Sequence, residues 1–308
     1  MSKLETGGIM YKIVLLGPDS WALKSIHHFV KKHLSDLYDV REVCWADHDH
    51  FDAVRRIDPD LIIGEASIVE HYSSEWGQRL MPVWHHFAKI PGVENAVHAR
   101  DYGAVINKVP HLYSITNEVS KTILDVYGRE SIVLPIGADL EFWHQRNVER
   151  IKKITAVFDN RCIHIDSYRE VKRPDMFMDI GSQWGGEFGI SCGMSFLAGS
   201  YIYQGDAVVC TSVYEGNPMA LMECAAARIP FISTPCGLTQ EYDCVKTFET
   251  VEEAVDILND LNSDPKKISD YCDQMYEEVA LDRDWKKLIQ DHWIPAIEEK
   301  LKLIHGDC

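Results

Sequence analysis

Apolar runs and helical stripes take turns along this chain. Tyr11-Lys-Ile-Val-Leu-Leu16 is a short apolar run stopped by Gly17-Pro18-Asp19-Ser20, which predicts a buried strand and a turn. Trp21, Leu23, Ile26, Phe29 and Val30 then recur at near-helical spacing. Residues 38–45 alternate as a second strand, 52–57 form a short helix, and the Asp58-Pro59-Asp60 turn leads into a third strand, 61–64. The series continues with a helix over 76–88, strands near 95–98 and 112–115, a helix over 118–127 and a strand over 131–135. This alternation predicts a parallel sheet with helical crossovers. The turn-rich stretch 136–143 ends it. A second series follows, with strands at 154–159, 162–165, 207–210 and 231–234, and helices at 173–180 and after residue 218. Two such series predict two doubly wound α/β domains with a cleft at the carboxyl ends of their strands. The expected division is 1–147, 148–284, and a closing helix 285–308 that returns to the first domain. In that helix Trp285, Leu288, Ile289, Trp293, Ile297 and Leu301 repeat near helical spacing, with a kink before Pro295.

Composition narrows the picture. The chain has 308 residues and a net charge of −17, of which −5 falls in 1–150 and −12 in 151–308. Such a body does not hold polyanions by its overall field. Eleven of the 14 histidines lie in the first half, so an anionic partner is expected there rather than on the second. Nine cysteines, an odd number with no Cys-x-x-Cys pair, read as reduced thiols. No apolar run approaches the ~20 residues that span a bilayer, and the start lacks a signal-peptide core. The expectation is a cytoplasmic protein without stable membrane insertion. Asp47-His48-Asp49-His50 lacks regular ligand spacing and reads as a solvated connection, not a metal site.

The chemistry concentrates in Asp206-Ala-Val-Val-Cys210-Thr-Ser-Val-Tyr-Glu215-Gly-Asn-Pro-Met-Ala-Leu-Met-Glu223. A short strand enters a loop carrying Glu215 and Gly216. Asn217 is expected to cap a helix that has Pro218 at its first position and runs to about Arg228. The helix start, at Pro218 and Met219, offers unpaired N–H groups and a positive dipole end, which suit a diphosphate. Gly216 lets a ligand approach the backbone. Glu215 and Glu223 are acceptor-only groups suited to sugar hydroxyls.

This segment resembles the donor-binding motif of retaining GT-B-fold glycosyltransferases of family 4, through Ser212, Glu215, Gly216 and Glu223 and then Ala226, Pro230, Ser233, Gly237 and Glu241. Leu134-Pro-Ile-Gly137-Ala-Asp139-Leu-Glu-Phe142 is similar to the family's interdomain segment. His164-Ile-Asp-Ser-Tyr-Arg-Glu-Val-Lys172-Arg-Pro-Asp is similar to its diphosphate-neutralising loop. The resemblance implies a GT-B fold, two Rossmann-like domains facing each other across a cleft. It implies transfer of a sugar from a nucleotide diphosphate sugar, UDP or GDP, to a hydroxyl with retention. The acceptor could be a glycan, a lipid-linked sugar, a metabolite or a modified nucleobase. Lys172 would bind the diphosphate, Glu223 the ribose and Glu215 the donor sugar, with His98 facing that sugar. Neither metal nor other cofactor is implied. The family's Arg before the Lys is Ser167 here, with Arg169 as its candidate replacement. Its helix-closing Gly is Arg228, so that cap either is not left-handed or carries roughly 1–2 kcal/mol of strain. The first-domain loop, at Gly17-Pro18-Asp19, lacks the usual double Gly. Two other readings stay open: a nucleotide-sugar epimerase or hydrolase on the same fold, and an inactive sugar-nucleotide-binding module.

Overall fold

The computed structural model describes residues 10–17, 21–66, 70–85, 106, 108–158, 166–191 and 201–306. A first sheet is built from β1 (Lys12–Gly17), β2 (Asp39–Cys44), β3 (Leu61–Glu65), β4 (Leu80–Trp84), β5 (Tyr113–Ser114) and β6 (Ile132–Val133), in the order β2-β1-β3-β4-β5-β6. All its pairings are parallel. Side chains alternate across it as a strand demands. Ile13 and Leu15 enter the large core that continues through the rest of the molecule. Val14 and Leu16 enter a separate cluster on the other face, with Ile62, Tyr72, Trp84, Val119 and Ile123. Helices α1 (Trp21–Leu34), α2 (His50–Ile57) and α3 (Asn117–Tyr127) supply the crossovers. Thr116 caps α3 by accepting from Val119 N, and Gly128, at φ +66°, closes it.

A second, wholly parallel sheet contains β7 (Lys153–Val157), β8 (Glu187–Ser191), β9 (Ala207–Cys210), β10 (Phe231–Ser233) and β11 (Lys246–Thr247), in the order β11-β10-β9-β7-β8. Its described helices are α4 (Asp166–Lys172), α5 (Pro174–Trp184), α6 (Met219–Ala227), α7 (Val251–Asn262) and α8 (Pro265–Met275). The strand order reverses between β1 and β3 in the first sheet and between β7 and β9 in the second. Such reversals open a crevice at the strands' carboxyl ends.

The two sheets are joined through 134–143 and through the last residues. Ala138 N donates to Arg283 O at 2.9 Å, and Trp285 N donates back to Ala138 O at 3.1 Å. A Cβ on Gly137 would stand 1.9 Å from Arg283 O, so only glycine fits there. Asp139, almost wholly buried, accepts from Glu141 N and Phe142 N and pairs with Lys32. Burial alone would push its carboxyl up; the His33 and Lys32 side chains outweigh burial and hold it well below the usual carboxylate range. The closing segment is helical at Trp285–Leu288, a π-turn at Ile289–Trp293, and helix α9 (Ile294–His305). The π-turn stands just before Pro295, the position at which a kink is expected. Trp285 lies against Phe29 of α1, and Trp293 Nε1 donates to Pro135 O at 2.9 Å.

Several local expectations need correction. No α-helix runs on from residue 76: a short helix ends at Trp76, one 3-10 turn follows at Gly77–Arg79, and Leu80–Trp84 is strand β4, buried throughout. An apolar run of five has no readable period, and Pro82 already opposes a helix. The segment around Arg169 and Lys172 is helix α4, not a loop. Strands β8 and β11 escape the pattern because they are short and carry mixed side chains. The expected strands at 95–98 and 162–165 lie outside the described residues.

Candidate functional site

The site is assembled at the reversal point between β7 and β9. β9 is buried up to Val209 and ends at Cys210, where the chain turns into the loop 211–218. That loop is stitched to the junction of α4 and α5. Thr211 Oγ1 donates to Lys172 O at 2.8 Å, Arg173 Nε donates to Thr211 O at 2.8 Å, and Val213 N donates to Val171 O at 2.7 Å. Arg173 sits at φ +47°, and the following Pro174 disfavours the right-handed helical region for it, so the helix cannot run on through this point. The break between the helices turns Lys172 toward the loop. Its ammonium forms a tight ion pair with Glu215 Oε1, and Ser212 Oγ donates to the same oxygen at 2.7 Å. Lys172 and Glu215 are 25% and 20% exposed, so the pair is covered but within reach of a ligand.

The loop after β10 supports this arrangement from behind. Thr234 Oγ1 donates to Ser212 O, and Gly237 packs on the Glu215 backbone. Gly237 has φ +50°, and a Cβ there would stand 2.2 Å from Glu215 O. Gly237→Ala is expected to lower stability by about 2–4 kcal/mol, from left-handed strain plus overpacking. Thermal unfolding of the variant checks this; a melting temperature equal to wild type would show that the contact carries nothing. The Cys236 thiol lies beside Cys210 and holds that thiol below its ordinary value, while its own rises in response.

Helix α6 begins at Met219, with Pro218 at the cap position and no side-chain cap. This corrects the expected start by one residue and removes Asn217 from its capping role. Asn217 is instead buried, with neither Oδ1 nor Nδ2 paired. A little over one turn into α6, Glu223 is 2% exposed and its Oε2 has no partner. Burial pushes its carboxyl well above the ordinary value. Residues 221–227 are all buried, so α6 has no solvated face on which Glu223 could rest. A buried polar group without a partner costs about 1–3 kcal/mol. Asn217 and Glu223 are two such groups at one helix start. At the other end Arg228 closes α6 at φ +55°. It is the strained left-handed cap, held by an ion pair to Asp273 and by stacking 4.5 Å over Tyr276.

Gly216 is buried against Gly237, and Met219 turns into the core of the second sheet. Arg169 does not join the pair: its Nη2 donates to both carboxylate oxygens of Asp175, at 2.8 and 2.7 Å. Gly17 ends β1 in the first sheet, where a Cβ would meet the buried His27 ring at 2.4 Å. His98 lies outside the described residues. Asp49 pairs with Arg56, and the described residues hold no group of three or more potential metal ligands. No described helix is long and apolar enough to cross a membrane. The sequence reading missed Thr211, Arg173 and Tyr214. Of these only Arg173 carried a signal, in the Pro that follows it.

No protein-family model matches the chain, and no curated protein matches it in sequence. Solved structures do. Sucrose-phosphate synthase from Thermosynechococcus elongatus superposes with a TM-score of 0.72 at 10% identity, over 95% of this chain and 99% of that one. Anabaena HepE, solved with UDP-glucose, gives 0.70 at 12% identity over 94% and 100%. The fold is GT-B. A UDP-forming α,α-trehalose-phosphate synthase from Burkholderia xenovorans matches the same GT-B frame, with a TM-score of 0.61 at 9% identity over 97% and 100%. Length and topology are thus shared almost end to end, while the residues are not.

Proposed function

We propose that this protein is a glycosyltransferase that moves a sugar from a nucleotide diphosphate sugar to a hydroxyl acceptor, with retention of anomeric configuration. The observation that carries the reading is the pair of buried, unpartnered side chains Asn217 and Glu223 at the start of α6, beside the Lys172–Glu215 ion pair. A ribose diol donating to Glu223 would supply the missing partner and stabilise its ionised form. The diphosphate would lie across the helix start and Lys172, whose charge stabilises the leaving group as negative charge builds on it. These groups supply the positive charge in place of a metal. As Lys172 turns to phosphate it releases Glu215, whose carboxylate is then available to the donor sugar's hydroxyls. Retention and the role of His98 at the donor sugar follow from the motif's resemblance alone. UDP is the preferred nucleotide, because HepE is solved with UDP-glucose and the trehalose-phosphate synthase is UDP-forming. The acceptor would enter from the side of Gly17 and the first sheet.

A thermal-shift panel of UDP-, GDP-, ADP- and TDP-sugars tests the reading. A donor held at 100 times its Kd adds about 2.7 kcal/mol, roughly a 5 °C rise for a chain of this size. Silence from all four removes the proposal.

A further inference from the structure

Tyr214 stands between Val213 and Glu215 in the loop after β9, so by sequence it belongs to the donor half of the site. Its ring does something else. It packs against the cluster on the outer face of the first sheet, which contains Val14, Leu16, Tyr72, Trp84, Val119 and Ile123. Its hydroxyl is buried there. The next residue, Glu215, is fixed by Lys172, by Ser212 and by the backbone contact with Gly237. One peptide unit therefore links a ring anchored in one domain to a carboxylate anchored in the other.

A second observation bears on the same cleft. Glu118, in the first turn of α3, faces Glu241 of the second domain. Burial, and then Glu241, raise the Glu118 carboxyl above its ordinary value. Arg283 neutralises Glu241 from the other side, with Nη2 to Oε2 at 3.0 Å. Like charges so placed give no attraction between the two halves, whereas a contact that buries apolar area does. Tyr214 is such a contact, because an aromatic side chain carries a large buried apolar area.

We propose that Tyr214 is a positioning residue that makes the placement of Glu215 depend on docking of the first sheet. With the cleft shut, the ring sits in its cluster and the backbone that carries Glu215 is fixed. With the cleft open, the ring leaves and the 211–217 loop keeps only its anchors in the second domain. The donor carboxylate is then correctly set only when the acceptor half is in place. This inference rests on the proposed donor site for its kinetic consequence, but not for its structural one.

The test compares Tyr214→Ala and Tyr214→Phe with wild type, using UDP, and UDP-glucose or whichever panel donor gives the larger shift. Because Asn217, Glu223 and Lys172 are untouched, Tyr214→Ala should bind UDP within about threefold of wild type. Its kcat for release of nucleotide from the donor should fall by about 10²-fold, the scale of a misplacement near 1 Å. Hydrogen–deuterium exchange of the 211–217 amides and of α3 should rise together. Tyr214→Phe, which keeps the ring, should restore kcat and exchange. Unchanged exchange in both segments of Tyr214→Ala overturns the inference. So does an equal loss of UDP affinity and kcat, which would make Tyr214 merely a wall of the nucleotide site. If wild type binds no nucleotide, the proposed function falls, and the exchange result alone still decides the role of Tyr214.

Discussion

Replacing Lys172 by alanine should lower donor turnover by about 10²–10³-fold, the usual cost of removing one preorganised charge aimed at a developing anion. Stability should change little. The pair with Glu215 is partly solvated, and such pairs contribute about 0–1 kcal/mol. Kinetics therefore separates from folding in this variant. Lys172→Arg sharpens the test, because a planar fork does not replace a point charge where the geometry is tight. It should recover only part of the loss. Steady-state release of nucleotide from the donor, followed beside thermal unfolding, checks both statements. Turnover within threefold of wild type for the alanine variant would take Lys172 out of the site.

Glu223→Gln should have opposite effects on stability and on binding. The folded carboxyl titrates above its unfolded value of about 4.3, because burial disfavours the charged form. The free protein is then at full stability below the unfolded value. It loses stability as pH rises from there through the raised folded value. Glutamine does not titrate, so the variant should melt higher than wild type at pH 8 and nearly equal to it at pH 4. Binding should move the other way. A hydrogen bond to a charged acceptor contributes about 1.5–3 kcal/mol, so donor affinity should drop by roughly 10- to 100-fold. A wild-type site that ionises on binding also releases a proton. Calorimetry in two buffers of different ionisation enthalpy should detect this in wild type and not in the variant. A variant that melts lower at pH 8 would show that Glu223 is paired in the free protein after all.

The two sheets were legible because their longer strands are apolar runs bounded by turns, as at Leu61–Glu65 and Ala207–Cys210. The motif spacing picks out Lys172 and Glu215, 43 residues apart, and the fold brings their side chains together. What stayed hidden was set by partners that no local pattern encodes. Arg169 reads as a spare cation until Asp175, six residues on, is seen to hold it. Asn217 is a good cap by propensity, yet Pro218 takes the cap position and leaves its amide unpaired. β4 offers five apolar residues with no period, since both its faces are covered. Tyr214 lies beside the motif, but the packing that gives it a purpose comes from residues 14–123, far away in sequence.

The closing segment has a further consequence, for synthesis rather than catalysis. Phe29 of α1 rests on Trp285, Pro135 O is met by Trp293, and Tyr11 stacks on His305, which also reaches Asp60. Parts of the first sheet's surroundings are thus made of residues translated well after the sheet itself. Domains on a ribosome usually fold in the order in which they emerge. Here the half that emerges first cannot be finished first. Until residues 285–305 have left the exit tunnel, Phe29 and its neighbours lack their cover, and the nascent chain carries an apolar patch. Completion of the early domain is deferred until the late one has been made, so the two halves mature as a unit.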